Sequence, residues 1–302
     1  MKLLLLCSSV VLSLLSSSLP RTAEGCTALA VGPGATVDGS VMTSHGDDCP
    51  TCDFRLAYVP SSTNPLSVPT PVYVEHSEYP RFVLPQSSPF YSDIYDEHRL
   101  YDYGVELEAD VVVATVPSVV EETFAYVDGS YGIMNEHQVR KGKGSGASPP
   151  SPFSSPSSSF LFLLSLTSPP LQCISFFPQL SIGESTCDAR LGMVPTPVSF
   201  GGNATFGISG LTRIALQRCK TARCAIETMG DLSTNYGFYG ANKPDWEGDH
   251  PRMNDDVGGE ALAIADTKEV WVFHVSPDDT GGGAVWVAQK VPEAHISVLT
   301  NT

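Results

Sequence analysis

Short apolar runs separated by glycine, proline and polar residues recur along the chain, and this pattern predicts a protein built mainly from β-strands. Few helical patterns lie between the runs, so we expect antiparallel hairpins rather than a doubly wound parallel sheet. The predicted strands cover residues 26–31, 40–44, 111–116, 131–139, 262–265, 269–275 and 284–291.

One stretch, residues 209–230, has the period of an amphipathic helix. Apolar side chains recur in it at spacings of three and four, with Ser209 as the expected N-cap and Gly230 as the stop. Cys219 falls on the apolar stripe of this helix, and Cys224 points away from it. We therefore expect that these two cysteines cannot form a disulfide with each other within a single helix.

The first two strands form a predicted hairpin that determines what lies beside Cys26. If the chain turns only at the Asp-Gly pair at 38–39, Cys26 pairs near residue 51. If the whole stretch of residues 32–39 loops out, its partner lies nearer residue 45. In either register the polar run His-Gly-Asp-Asp that starts at residue 45 returns to the neighbourhood of Cys26.

Residues 1–25 have the pattern of a secretory signal peptide. A basic start and a leucine-rich run at residues 3–15 precede the small residues Ala23 and Gly25, as at a signal-peptidase site. An uncleaved anchor is the alternative, but the run is shorter than the roughly 20 residues that a spanning helix needs. We therefore expect a secreted or lysosomal/vacuolar protein whose mature chain begins at Cys26.

The charge balance narrows the range of partners. Thirty-three acidic and seventeen basic residues give a net charge of −16. Such a charge repels phosphate backbones and anionic lipids, so we expect no nucleic-acid partner and no stable membrane association after cleavage of the leader. The charge does not decide whether the protein forms a homo-oligomer. The sequon at Asn203 is compatible with glycosylation in the secretory pathway.

The cysteine count supports a special role for Cys26. Of eight cysteines, Cys7 leaves with the leader, and the seven that remain are an odd number. In an oxidising compartment one thiol or one intermolecular disulfide must then be left over. Cys49 and Cys52 have the C-x-x-C spacing of a metal or redox site, but no second pair matches it. We therefore expect structural disulfides, no metal and no cofactor.

Residues 140–180 differ in composition from the rest of the chain. They contain no acidic residue, begin with a basic glycine-rich run and continue as Ser/Pro-rich sequence. One interpretation is a disordered low-complexity insertion. The other is a translated retained intron, because joining residue 139 to residue 181 gives a continuous strand-like sequence.

A cysteine at a chain end offers a compact form of nucleophilic catalysis. A thiol reacts as thiolate, and its ordinary pKa near 8.5 means that it needs a base. The α-amino group of Cys26, with an ordinary pKa of about 7.7 to 8.0, can be that base once the leader is removed. Asp47 or Asp48 is a candidate to orient the amine, and the amide of Asn135 is a candidate to stabilise the oxyanion.

Several motifs, taken in order, resemble the secernin/dipeptidase family of cysteine peptidases. The resemblance covers about residues 26–139 and 181–302. This family belongs to the N-terminal-nucleophile hydrolases, alongside penicillin V acylase and bile-salt hydrolase. The motifs are Cys-Thr at 26–27, Val-Asp-Gly-Ser-Val-Met at 37–42, Asp48, Met-Asn-Glu-His-Gln at 134–138, Ile-Gly-Glu-Ser-Thr-Cys at 182–187, and matching segments at 211–216, 260–261, 264–266, 270–271 and 283–292.

The resemblance implies an α+β fold, a four-layer αββα sandwich, that hydrolyses short peptides or amides without a cofactor. Its nucleophile corresponds to Cys26, its acidic residue to Asp48 and its oxyanion asparagine to Asn135. His45 stands where relatives often have arginine, and with Asp47 it is the expected substrate contact. Relatives continue beyond the end of this chain, so the peptidase domain at residues 26–302 is expected to be incomplete at its C-terminus.

Two classes of function follow. The first is a secreted or lysosomal cysteine-type dipeptidase or amidase that acts on a small peptide or amide substrate. The second is an inactive, disulfide-bonded secreted protein of the same fold, or a truncated by-product. The identity of the N-terminal residue distinguishes them, because only a chain that starts at Cys26 has the α-amino base.

Overall fold

The computed structural model describes residues 26–46, 56–73, 112–136, 180–188, 195–240, 245–247, 250–252 and 258–301. Within these ranges the chain forms fourteen strands and two α-helices. The strands are β1 (Thr27–Val31), β2 (Met42–Gly46), β3 (Ala57–Val59), β4 (Thr70–Tyr73), β5 (Val112–Val116), β6 (Tyr126–Asp128), β7 (Gly132–Asn135), β8 (Ser181–Asp188), β9 (Asp245–Glu247), β10 (His250–Arg252), β11 (Gly258–Ala265), β12 (Val270–Pro277), β13 (Ala284–Lys290) and β14 (Ile296–Thr300). The helices are α1 (Ile208–Arg218) and α2 (Ala222–Tyr236).

Seven strands form one antiparallel sheet, called the large sheet below, in the order β13-β12-β11-β8-β7-β6-β3. Its β11–β12–β13 part is a meander of consecutive hairpins, as the sequence predicts. Asp266 closes the first of these turns, because its Oδ1 accepts hydrogen bonds from the backbone N–H groups of Lys268 (2.8 Å) and Glu269 (3.1 Å). The predicted hairpin around residue 267 is confirmed.

Three strands form a second antiparallel sheet, called the small sheet, in the order β14-β1-β2. Thr27 lies opposite Gly46, which agrees with the register that pairs Cys26 near residue 45. The loop between β1 and β2 is wide because it is bound to another part of the chain. Gly34 N donates to the carbonyl of Glu293 (2.7 Å), just before β14.

The two sheets stack face to face, and the helices cover the other face of the large sheet. Alternate residues of β11 show this division. Ala261 and Ala263 join a buried cluster with Ala28 of β1, whereas Leu262 packs in the main core with residues of α1 and α2. Side chains alternate between the faces of a strand, so one strand supplies both interfaces. The alanines let the sheets approach closely.

The expected four-layer αββα sandwich is wrong. Within the described residues the protein is mainly β, and both α-helices pack against the same face of the large sheet. On the small sheet Met42, Ile296 and Val298 are exposed. The physical reason lies in the helical pattern. A four-layer sandwich needs amphipathic helices over both outer faces, and the sequence predicts a single helical stretch.

That stretch forms two helices instead of one. Cys219 leaves the helical conformation (φ −110°, ψ 142°), and α2 begins three residues later. The second helix has its own N-cap, since Thr221 Oγ1 accepts from the N–H of Cys224 (3.3 Å). Asp266 Oδ2 accepts from the N–H of Ala222 (2.9 Å), which satisfies another amide of the first turn.

The break brings Cys219 and Cys224 together in a disulfide, with 5.4 Å between their Cα atoms. The expectation that these cysteines cannot bridge is wrong, because it assumed one unbroken helix. Ser209 is not the N-cap. That position belongs to Gly207, and Ser209 Oγ donates to the carbonyl of Ser130 (2.7 Å). Gly230 lies inside α2 rather than at its end.

Strands β7 and β8 lie side by side, with Met134 opposite Ser181. Residues 137–179, which include most of the predicted insertion, lie outside the described residues. Leu180, the last residue of the predicted insertion at residues 140–180, is fully buried in the main core. Among the described helices none is long and apolar enough to cross a bilayer.

Candidate active site

Cys26 stands immediately before β1, the central strand of the small sheet. It is half-buried and, like Cys187, is present as a thiol. Ala28, two residues further along, is packed against the large sheet, and the carbonyl oxygen of Cys26 itself contacts Ser185 of that sheet. The candidate nucleophile therefore lies at one end of the space between the two sheets.

Ser185 of β8 contacts Cys26 across this space. Its Oγ donates to the carbonyl oxygen of Cys26 (3.2 Å) and to Oδ1 of Asn301 (2.9 Å), which follows β14. The Ser185 side chain has no solvent exposure. One buried hydroxyl thus links β8 of the large sheet to β1 and β14 of the small sheet.

Gly183 lets the sheets meet closely beside this contact. A Cβ atom at residue 183 would lie 3.0 Å from the carbonyl oxygen of Ser44, 3.4 Å from the Cβ of His45 and 3.5 Å from the Cβ of Ala28. Contact with backbone at that distance is tighter than most side chains tolerate. The absence of a side chain at residue 183 is therefore what brings β8 up to β1 and β2.

His45 has both ring nitrogens engaged within the protein. Nδ1 lies 2.7 Å from the carbonyl oxygen of Glu184, and Nε2 is hydrogen-bonded to the hydroxyl of Tyr131. The backbone N of Glu184 lies 3.3 Å from the same Nδ1, so this nitrogen meets both a donor and an acceptor of Glu184, and the tautomer of the ring decides which bond forms. The two rings meet edge to face, with 5.0 Å between their centroids. These contacts connect His45 of β2 to β8 and to Tyr131.

Asn135 lies on the helix side of the large sheet, and the structure does not bring it to Cys26. Its side chain is 1% exposed, and Nδ2 donates to the carbonyls of Leu216 (2.7 Å) and Cys219 (2.8 Å). These are carbonyls at the C-terminal end of α1, which lack partners within the helix. Both amide protons are used there, so Asn135 holds the break between α1 and α2.

The other predicted site residues are distributed as follows. Asp47 and Asp48 lie outside the described residues, although Gly46, which precedes them, is opposite Thr27. Asn203 is exposed in the structure, as an attached glycan requires. Cys49 and Cys52 also lie outside the described residues.

A pair of carboxyl groups lies on the helix-facing side of β8 and β11. Glu260 is completely buried, and neither of its carboxylate oxygens has a hydrogen-bond partner within the described part of the chain. Burial, followed by the charge of Glu184, raises the pKa of Glu260 well above its ordinary value. Glu184 Oε1 accepts from Thr186 Oγ1 (3.0 Å). This pair lies on the opposite face of the large sheet from Cys26.

Sequence reasoning missed the contacts that surround Cys26. A signal for Ser185 was present, because the small residues Ser181, Gly183, Ser185 and Cys187 alternate with larger ones along β8 and mark one face for a close neighbour. Nothing in the sequence marks Asn301 or Tyr131, since their roles depend on long-range packing.

No known protein family and no curated protein sequence matches the chain. Among the described residues, no group of three or more His, Cys, Asp or Glu side chains is arranged to hold a metal ion.

Proposed function

We propose that the protein is a cysteine-type dipeptidase or amidase whose nucleophile is Cys26. The observation that carries this proposal is the position of Cys26 at the N-terminal tip of a central strand, half-buried between two sheets. A nucleophile there is next to a paired strand and is partly exposed. The reaction class rests on the resemblance of the motifs to secernin-type dipeptidases, and the proposal does not depend on a four-layer fold.

The chemistry requires only the first residue of the mature chain. The α-amino group of Cys26 takes the thiol proton, and the sulfur attacks the carbonyl carbon of the substrate. The tetrahedral intermediate collapses when the ammonium returns its proton to the leaving amine, which leaves a thioester. Water then attacks the thioester with the same amine as base, and the acid product and the thiol are released. Asp47 or Asp48 orients the ammonium in this scheme.

The second candidate is an inactive secreted protein of the same fold. Two observations favour it: the disulfide between Cys219 and Cys224, which suits an oxidising compartment, and the structural use of Asn135 and His45. Such a protein would keep the sheets and the disulfide but would hydrolyse no dipeptide.

The test begins with secretion of the full chain from a eukaryotic host and sequencing of its N-terminus. Hydrolysis of a panel of dipeptides is then compared among wild type, Cys26→Ser and Cys187→Ser. We expect Cys26→Ser to lose activity by at least about a hundredfold, because a serine hydroxyl is much harder to deprotonate. Cys187→Ser, the matched control at the other described thiol, should stay within about threefold.

Two results would contradict the proposal. A mature chain that starts at any residue other than Cys26 lacks the α-amino base. Equal activity of wild type and Cys26→Ser excludes the assigned nucleophile, and no hydrolysis by any of the three proteins supports the inactive alternative.

A further inference from the structure

The contact between Ser185 and Cys26 is the feature on which this inference is built. Ser185 is fully buried, and its hydroxyl donates to the main-chain carbonyl of Cys26 rather than to a side chain. A carbonyl oxygen lies in the plane of its own peptide group, and that plane also contains the adjoining Cα atom. A hydrogen bond to this oxygen therefore restrains the Cα from which both the thiol and the α-amino group of Cys26 project.

A terminal residue needs such a restraint more than an internal one. Once the leader is removed, Cys26 is covalently held on its C-terminal side only, and the ends of chains tend to fray. The restraint must come from a rigid element. Strand β8 meets this requirement, because it lies within the large sheet between β7 and β11.

The hydroxyl of Ser185 also connects the third strand of the small sheet. It has one proton and two acceptors, the carbonyl of Cys26 at 3.2 Å and Oδ1 of Asn301 at 2.9 Å. The two bonds are therefore a shared, three-centre pair. Because Asn301 follows β14, the hydroxyl of Ser185 links β8 to both β1 and β14 beside Cys26.

We propose that Ser185 is a positioning residue for the nucleophile, and that its hydroxyl fixes the Cα of Cys26, so that the thiol and the α-amino group keep their place at the end of the space between the two sheets. This inference rests on the proposed function and adds to it the residue that holds the reacting group. Ser185 itself does not touch the substrate carbonyl. Misplacement of a reacting group by about 1 Å can cost on the order of a hundredfold in rate.

The experiment compares Ser185→Ala with Ser181→Ala in the secreted full chain. Ser181 is a matched control because it lies on the same strand and the same face, and its Oγ is 2.8 Å from Oγ1 of Thr43 in the small sheet. Each variant loses one hydroxyl group that links the sheets: Ser181→Ala removes its contact with Thr43, and Ser185→Ala removes the three-centre pair to Cys26 and Asn301. Thermal unfolding of both variants measures the stability that each change costs. Only Ser185→Ala removes a bond to Cys26.

Two readouts are measured for each variant. The first is steady-state hydrolysis, in which Ser185→Ala should lower kcat by about tenfold or more with KM within about twofold, while Ser181→Ala changes neither by more than about twofold. The second is the rate of alkylation of Cys26 by iodoacetamide as a function of pH, followed by mass spectrometry of the N-terminal peptide. Ser185→Ala should move the midpoint of this profile towards about 8.5, the value of an ordinary thiol, because a frayed chain end is solvated like that of an unfolded chain.

The alkylation profile needs no substrate, so it separates this inference from the proposed function. If dipeptides are not hydrolysed but Ser185→Ala alone moves the profile, the function fails and the positioning role stands. If Ser185→Ala and Ser181→Ala give the same profile as wild type, the positioning role is overturned, whatever the activity. Equal losses of kcat in the two variants with unchanged profiles also overturn it, because they show a role in sheet packing alone.

Discussion

Glu260 shows how a single buried side chain can govern the response of the protein to pH. It projects from β11 and lies opposite Thr186 of β8 and Val275 of β12. The titratable groups that shift its pKa are Glu184 and Cys187. Its pKa is raised, so the folded protein keeps this proton at pH values where the unfolded chain has lost it. The contribution of Glu260 to the free energy of unfolding is therefore largest at acidic pH, and it falls as the pH rises above the ordinary pKa range of a glutamate.

We predict that Glu260→Gln raises the free energy of unfolding at pH 8 and leaves it nearly unchanged at pH 4. A neutral amide removes the cost of ionising a buried group, and one group changes the stability by at most about 1.4 kcal/mol per pH unit. Urea unfolding followed by tryptophan fluorescence at several pH values measures the difference. Glu227→Gln, at an exposed position of α2, is the control and should not change the slope. Parallel curves for Glu260→Gln and wild type would refute the prediction.

The site residues illustrate which features the sequence predicts and which it does not. Cys26 is a candidate nucleophile on local signals, namely a cleavage pattern followed by a strand. No local signal predicts the partners of His45 and Asn135, because Glu184, Tyr131 and the end of α1 are 80 residues or more away in sequence. A polar residue in a strand can face either side of a sheet, and the long-range packing decides which.

At the scale of elements, the break between α1 and α2 is the clearest difference between the structure and the helix that the sequence predicts. The sequence predicts β12 and β13 to within two residues at each end and the second half of β11, since alternation and turn residues are local signals. The sequence predicts a single helix over residues 209–230 because the apolar period continues through Cys219. The break depends on Asp266, which caps α2 from a turn 44 residues further along the chain.

Gly230 provides a test of how α2 packs on the large sheet. We predict that Gly230→Ala lowers the free energy of unfolding by up to about 2 kcal/mol, although alanine has a helix propensity better by about 1 kcal/mol. A methyl group at this position collides with the indole ring of Trp286 on β13, and overpacking in a core costs typically 1–3 kcal/mol. Thermal and urea unfolding measure the change.

The matched control is Asp231→Ala, one residue further along α2, where the side chain is exposed. There the better helix propensity acts alone, so stability should stay the same or rise slightly. If Gly230→Ala is as stable as Asp231→Ala, α2 does not lie as close to Trp286 as the structure shows.

At the scale of the whole molecule, the pairing of β7 with β8 determines what the long intervening segment contributes. Asn135 N donates to the carbonyl of Leu180 (3.2 Å), so the two strands are joined at this point. If residues 140–179 were absent, a four-residue loop at 136–139 would connect them, which is a common hairpin length. The pairing of Asn135 with Leu180 therefore predicts that the two strands can pair without the segment.

We predict that deletion of residues 140–179 gives a protein that folds and unfolds at the same temperature as wild type or a higher one. A loop about ten times shorter lowers the entropy cost of closure by about 2 kcal/mol. Leu180 must be kept, since it is fully buried in the main core. The same deletion with Leu180→Ala is the control and should lose about 2–5 kcal/mol. An insoluble or unfolded deletion variant would contradict the prediction.

The small sheet has a consequence for the timing of activity during synthesis. Strand β1 near the start of the described chain is flanked by β14, so Thr27 pairs with Thr300. Contacts between such distant residues form late in folding, because a long loop must close first. The ribosome also releases β14 after every other described strand. We therefore expect any hydrolytic activity of Cys26 to appear on completed chains and to be absent from nascent ones.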